Sequence, residues 1–148
     1  MMTVTLVFDN TKQFVLMCYH TKQSKWNFVG GHTEDMEQPM DASYRELDEE
    51  TGITRNDIDL RFVREEHVSA NGINNGGSYV WSLYVTAGIL DKDVELREEK
   101  NPLTWMSIYD LNTILLGTTG YGNCWVFLRE ACDVLGIEYD ESKIIRGY

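Results

Sequence analysis

Basic residues are scarce in this chain. Thirteen Lys and Arg stand against 24 Asp and Glu, which gives a formal charge of -11 and a pI near 4.6. A surface of that sign repels nucleic acid backbones and anionic membranes, which are gripped largely by Lys and Arg, so a DNA duplex and a membrane are excluded as partners. Cysteine is also sparse. Cys18, Cys124 and Cys132 form no CxxC or CxxH pair and are odd in number. That excludes a disulfide framework and a zinc knuckle, and it predicts buried thiols in a reducing, cytoplasmic setting. The two prolines, Pro39 and Pro102, mark no linker, and no repeat divides the sequence, so residues 1–148 read as one domain. Met1 to Phe8 lacks the basic flank and long apolar run of a signal peptide, and no run of 18 apolar residues predicts a transmembrane span. If the substrate is an anion, something other than the bulk field must hold it, and a divalent cation is the obvious holder.

What is present is a folded composition: 148 residues, 43% hydrophobic and 11% aromatic. Alternation at Val4, Leu6 and Phe8, turn chemistry at Asp9-Asn10 and an apolar run from Phe14 to Tyr19 predict an opening hairpin. A short extended piece, Trp26 to Val29, ends in Gly30-Gly31, where the backbone can bend sharply or approach a ligand closely. Pro39 to Thr51 predicts a helix with Pro39 in its first turn and Gly52 as its stop. Asp59 to Ser69 and Ser78 to Ala87 read as strands around a loop rich in Gly and Asn, and Leu103 to Met106 as a short strand. Ser107 to Asp110 resembles a capping box opening a helix that ends near Gly117, and a last helix runs from Asn123 to Leu135, closed by Gly136. Helices scattered among antiparallel-looking strands predict an α+β fold, a mixed sheet covered on both faces.

The chemistry concentrates in the helix 39–51. Glu46, Glu49 and Glu50 fall within an arc of about 100 degrees, so three carboxylates share one strip and repel one another unless a cation or basic partner intervenes. Arg45 stands one turn before Glu49, with Glu37 upstream, and can pair with both. Ala42 projects from the same strip and leaves room for ions and water, while Met40, Tyr44, Leu47 and Thr51 form the buried arc. Oxygen donors without a Cys/His set favour magnesium, with manganese as a substitute, over zinc.

Gly31, Glu37, Arg45-Glu46-Leu47, Glu49-Glu50 and Gly52-Ile53 match G-x5-E-x7-R-E-U-x-E-E-x-G-U at every specified position. The chain thereby resembles the Nudix hydrolases. Seven fixed letters and two aliphatic ones would arise by chance at roughly one in 10^7 or rarer. The resemblance implies an α/β/α sandwich with a loop-helix-loop catalytic module and the hydrolysis of a nucleoside diphosphate linked to a moiety X. It also implies roles. Glu46, Glu49 and Glu50 would be metal ligands with the Gly30 carbonyl, and Glu37, Arg45, Gly31 and Gly52 would support the site. A departure stands at Met36, where many members carry glycine. An acidic residue shortly before Trp105 resembles the loop that gives a base or extra ligand in nucleotide-sanitising members. Spacing favours Glu99 over Glu98.

For X, Trp26-Asn27 resembles the strand that sets an asparagine against the base in enzymes destroying oxidised purine triphosphates, and an amide can read a purine edge. A purely structural Asn27 is the other reading. Phe28, Tyr79, Trp81 and Trp125 are stacking candidates, the first three also suited to packing. Asn123 and Trp125 resemble by position the region that closes a base pocket. His20, His32 and His67 read as surface or structural histidines. The proline typical of ADP-ribose hydrolases, some fifteen residues past the box, is absent. The preferred substrate is a purine nucleoside triphosphate, oxidised forms included, cleaved to monophosphate and pyrophosphate by a monomer or homodimer. The alternatives are an RNA 5'-end or dinucleoside polyphosphate pyrophosphohydrolase, and a non-catalytic nucleotide-binding module of the same fold.

Overall fold

The computed structural model describes residues 1–21, 25–69, 80–98, 100–111 and 124–144. Its strands are β1 (Met2–Phe8), β2 (Phe14–His20), β3 (Lys25–His32), β4 (Arg61–Ser69), β5 (Val80–Ile89) and β6 (Leu103–Ser107). The helices among the described residues are α1 (Pro39–Thr51) and α2 (Cys124–Leu135), followed by a 3-10 turn at Glu141–Lys143.

The strands form one mixed sheet in the order β4-β5-β1-β3-β2-β6. At its centre β1 pairs in parallel with β5, Met2 opposite Leu83 through Phe8 opposite Ile89, and antiparallel with β3. A strand covered on both faces need not alternate, and Thr3 to Phe8 are all buried. Their side chains divide between two cores. Val4, Leu6 and Phe8 join Phe28, Val85, Phe127 and Leu128 on the α2 side. Val7 joins Leu16, Val29, Leu47 and Ile53 on the α1 side. This is the expected α+β fold with its mixed sheet covered on both faces, and the α/β/α sandwich that the resemblance implies.

Three local expectations change. The opening hairpin is a fork: β1 and β2 meet only at Phe8 and Val15, because β3 inserts between them and pairs with both. Gly30 and Gly31 do not end a strand in a bend; β3 runs through both to His32, and neither has a positive φ. Ser107 closes β6 instead of opening a helix. Ile108 to Asp110 form a turn in which Ser107 Oγ accepts from the Tyr109 N–H at 3.3 Å, and the helix expected toward 117 falls beyond Leu111, outside the described residues.

Helix α1 has the predicted bounds. Pro39 occupies its first turn, where a missing amide removes no hydrogen bond. Gly52 ends it in the left-handed region at φ 83°, donating its N–H to the Asp48 carbonyl at 2.8 Å. No helix among the described residues is long and apolar enough to cross a membrane.

Candidate active site

Helix α1 lies against β3, and its periodicity decides which carboxylate goes where. Glu46 and Glu50, one turn apart, line an open cleft together with Thr3, Asn27, Gly30 and Gly31. Glu49, with 43% of its side chain exposed, turns instead to Arg45 one turn earlier, at 3.3 Å. Ala42 is fully buried and contributes no open space, a correction to the sequence expectation. Ser43 is buried too and donates its hydroxyl to the Pro39 carbonyl at 3.1 Å; Met40 and Tyr44 pack at the margin of the core instead of within it.

Arg45 is the hub of the site. Its Nε donates to Glu37 Oε2 at 2.8 Å and Nη2 to Glu37 Oε1 at 3.0 Å, a bidentate fork. The same Nη2 reaches the His32 carbonyl at 2.9 Å, while Nη1 approaches Glu46 Oε1 at 3.1 Å and both Glu49 oxygens at 3.3 Å. One guanidinium thus ties the end of β3, the following loop and the helix together. These hydrogen bonds, with the Glu34 N–H donating to Glu37 at 2.9 Å, hold the Glu37 carboxyl down at about 2, and Arg45 is locked in its charged form.

Glu46 has the opposite environment. Burial pushes its carboxyl above the usual range, Arg45 opposes this, and Glu49 and Glu50 add to it. Its carboxylate sits over Gly31, where an added β-carbon would lie 2.3 Å from Glu46 Cδ. Gly30 is required for another reason: a β-carbon there would meet the Thr3 carbonyl oxygen at 2.0 Å. Glu50 Oε2 accepts from Asn101 Nδ2 at 3.2 Å and from the Cys18 thiol at 3.7 Å. Burial first, and then Glu50, push the Cys18 thiol up to about 12, so it remains a donor.

On the cleft wall Asn27 stands opposite Cys18 across the β2–β3 ladder and is only 4% exposed. Its Oδ1 is buried and has no hydrogen-bond partner among the described residues. A buried acceptor left without a partner costs about 1–3 kcal/mol, a debt that a ligand donor would remove.

Other expected residues fall elsewhere. Phe28 is a core residue on the α2 side with an edge on the cleft. Trp125 is not brought to the carboxylates. With Phe127, Leu128 and Ala131 of α2 turned into the core, Trp125 lies beneath the Arg129 guanidinium at 4.9 Å and lines a separate small cavity with Tyr139. Glu98 folds back to accept the Leu103 N–H at 3.2 Å. Glu99, Asn123, Tyr79 and the side chain of Trp81 lie outside the described residues. His67 pairs with Ser82 at 2.8 Å, away from the cleft, whereas His20 and His32 do line it. Asn101 and Cys18 were missed because their relation to Glu50 is tertiary. Cys18 could have been found by drawing the β2–β3 ladder, which sets it against Asn27.

The donor set suits a hard divalent cation. The donors of the strip itself are all carboxylate oxygens, Glu46 carries a poorly solvated charge, and Gly31 leaves the cradle in which that carboxylate rests. Among the described residues no three acidic, His or Cys side chains already converge as a metal cage. Arg45 Nη1 takes up the space between Glu46 and Glu49, so an ion must displace part of that contact.

A family model described as NUDIX domain matches residues 2–122. An RNA pyrophosphohydrolase of Mannheimia succiniciproducens is 36% identical over 63 residues, 43% of this chain and 32% of that protein. The chain thus matches about a third of the length of that curated relative. Among solved structures, the Escherichia coli dihydroneopterin triphosphate pyrophosphohydrolase superposes with a TM-score of 0.67 at 15% identity, covering 89% of this chain and 92% of that one. The Caenorhabditis elegans Ap4A hydrolase gives a TM-score of 0.64 at 18% identity over 90% and 96%. At those identities the likeness is one of fold.

Proposed function

The chain belongs to the NUDIX domain family, and on that premise we propose that it is a magnesium-dependent pyrophosphohydrolase acting on a nucleoside diphosphate linked to X, with purine nucleoside triphosphates preferred. Members of the family generally use a divalent metal such as magnesium and bind small nucleotides. The observation that carries the reading is one cleft lined by both Glu46 and Glu50, with the buried, unpartnered Oδ1 of Asn27 on the same wall. Bound there, magnesium supplies charge neutralisation at the phosphate oxygens and a water of lowered pKa.

The chain's own residues divide the remaining work. Glu46, Glu49 and Glu50, with the Gly30 carbonyl, hold the ion. Arg45 and Glu37 fix the helix and the loop relative to β3, Gly31 permits their close approach, and Gly52 ends the helix in the left-handed region beside Arg97. Glu99 takes the proton of the attacking water, one water being consumed for each phosphoanhydride bond broken. Asn27 turns its amide to the purine edge, and the edge of Phe28 borders the base. The 148 residues act as one domain, as monomer or homodimer, and the free Cys18 and Cys132 suit a reducing cytoplasm.

The similarity to an RNA pyrophosphohydrolase supports a second reading, an RNA 5' end as substrate. The -11 charge weighs against it, because RNA grips proteins through its phosphates. A panel of purine and pyrimidine triphosphates, oxidised purine triphosphates, Ap4A and a short 5'-triphosphorylated RNA, each with magnesium and with chelator, tests both. Fastest turnover of the purine triphosphates, lost in chelator, is the expected result. Preference for RNA selects the second reading, and no magnesium-dependent turnover of any substrate refutes the enzyme assignment.

A further inference from the structure

We infer that Asn101 is a positioning residue for Glu50, fixing one oxygen of that carboxylate so that the other is presented to the metal; the inference rests on Glu50 being a ligand, as proposed above. The amide Nδ2 donates to Glu50 Oε2 at 3.2 Å. The Cys18 thiol approaches the same oxygen at 3.7 Å from β2, so Oε2 is engaged from two sides. A carboxylate with one oxygen held is aimed by its partners, as ligands commonly are by the groups behind them.

The segment between β5 and β6 is anchored so that the donor is placed by backbone. Before Asn101, the Arg97 N–H donates to the Thr51 carbonyl at 2.9 Å, and its guanidinium reaches the Asp48 carbonyl at 2.7 Å and Asp48 Oδ1 at 2.8 Å. A cation thus meets the carbonyl end of α1, whose last turn has no basic residue of its own. After Asn101, the Pro102 carbonyl accepts the Tyr19 N–H at 2.9 Å. Asn101 therefore stands between a fixed point on the helix and another on the sheet, and it links the two through Glu50. A mobile surface loop with an incidental contact would lack both anchors.

The test is manganese binding to the protein without nucleotide, followed by the electron paramagnetic resonance of the free ion. Asn101→Ala is expected to weaken binding 10- to 100-fold. Asn101→Gln, which keeps an amide donor, is expected to remain within about threefold of wild type, and melting points in chelator should be unchanged. In a Glu50→Gln background, Asn101→Ala should add no further loss. Wild-type affinity in Asn101→Ala, or an equal loss in the Glu50→Gln background, overturns the inference. Should the alanine variant fail to fold, Asn101→Leu, close to Asn in size, carries the same comparison. Weak binding by Glu50→Gln with normal binding by Asn101→Ala rejects Asn101 alone; normal binding by Glu50→Gln rejects Glu50 as a ligand and the inference with it.

Discussion

The Glu46 carboxylate lies over the α-carbon of Gly31, so close that a β-carbon there would stand 2.5 Å from each of its oxygens. At Gly30 the obstacle is the Thr3 backbone carbonyl, 2.0 Å away. A carboxylate at the end of a flexible side chain can swing aside; a paired strand cannot. Gly30→Ala should therefore cost about 3 kcal/mol or more in stability by prising β1 from β3. Gly31→Ala should cost about 1 kcal/mol or less yet lower magnesium-dependent turnover at least about tenfold by displacing Glu46. Melts in chelator and kcat for the two variants check the contrast.

Arg45 supplies a planar fork to Glu37 and a further N–H to Glu46 and Glu49. A lysine keeps the charge and loses the simultaneous contacts. Arg45→Lys is expected to raise the magnesium concentration needed for half-maximal rate and to lower the melting temperature, with a smaller change in substrate KM. A wild-type magnesium response with a strongly raised KM would make Arg45 a substrate contact.

Met36 has φ 66° and is 99% exposed, an apolar side chain in a left-handed conformation with nothing to pack against. The glycine that many members of the family carry at this position has a backbone reason: the left-handed conformation costs an L-residue about 1–2 kcal/mol. Allowing for the greater freedom of glycine in the unfolded chain, Met36→Gly should stabilise the protein by about 0.5–1 kcal/mol without altering turnover. Denaturant titration reads this directly.

The two carboxylates that Arg45 contacts at Glu37 and Glu46 titrate with opposite signs. Glu37, held at about 2 by Arg45 and the Glu34 N–H, lies below the ordinary value near 4.3, so its contribution is full above that pH and is lost as pH falls toward 2. Glu46 is raised, chiefly by burial, so its ionisation costs stability as pH rises past the ordinary carboxylate range. In chelator, Glu37→Gln should flatten the acid limb of the stability profile. Glu46→Gln should be at least as stable as wild type at neutral pH. Melting curves from pH 2 to 8 test both signs.

Local pattern made α1 legible: Pro39, the carboxylate spacing and Gly52 give the helix its bounds, and Arg45 reaches the Glu37 and Glu49 that its spacing offers. The parallel pairing of β1 with β5 was not legible, since it joins segments some 80 residues apart with no hairpin signal between them. The same holds for Asn101, whose partner Glu50 is 51 residues away. At Gly30-Gly31 a sharp bend and a close approach were equally open, because glycine has two uses, conformational freedom and smallness, and sequence does not say which applies. Ala42 was misplaced because an arc on a helical wheel does not reveal how far the sheet wraps around it, and Trp125 because residues at the start of α2 can face either the sheet or the chain that follows.

The central claim is that the carboxylate strip of α1 holds the metal that cleaves a nucleoside phosphoanhydride. The most direct measurement is the rate of hydrolysis of a purine nucleoside triphosphate as magnesium is titrated, in wild type and in Glu46→Gln. A saturable, magnesium-dependent rate in wild type that falls at least about a hundredfold in the variant, whose melting point in chelator is preserved, is the predicted result. A variant that turns over like wild type at saturating magnesium would contradict the account.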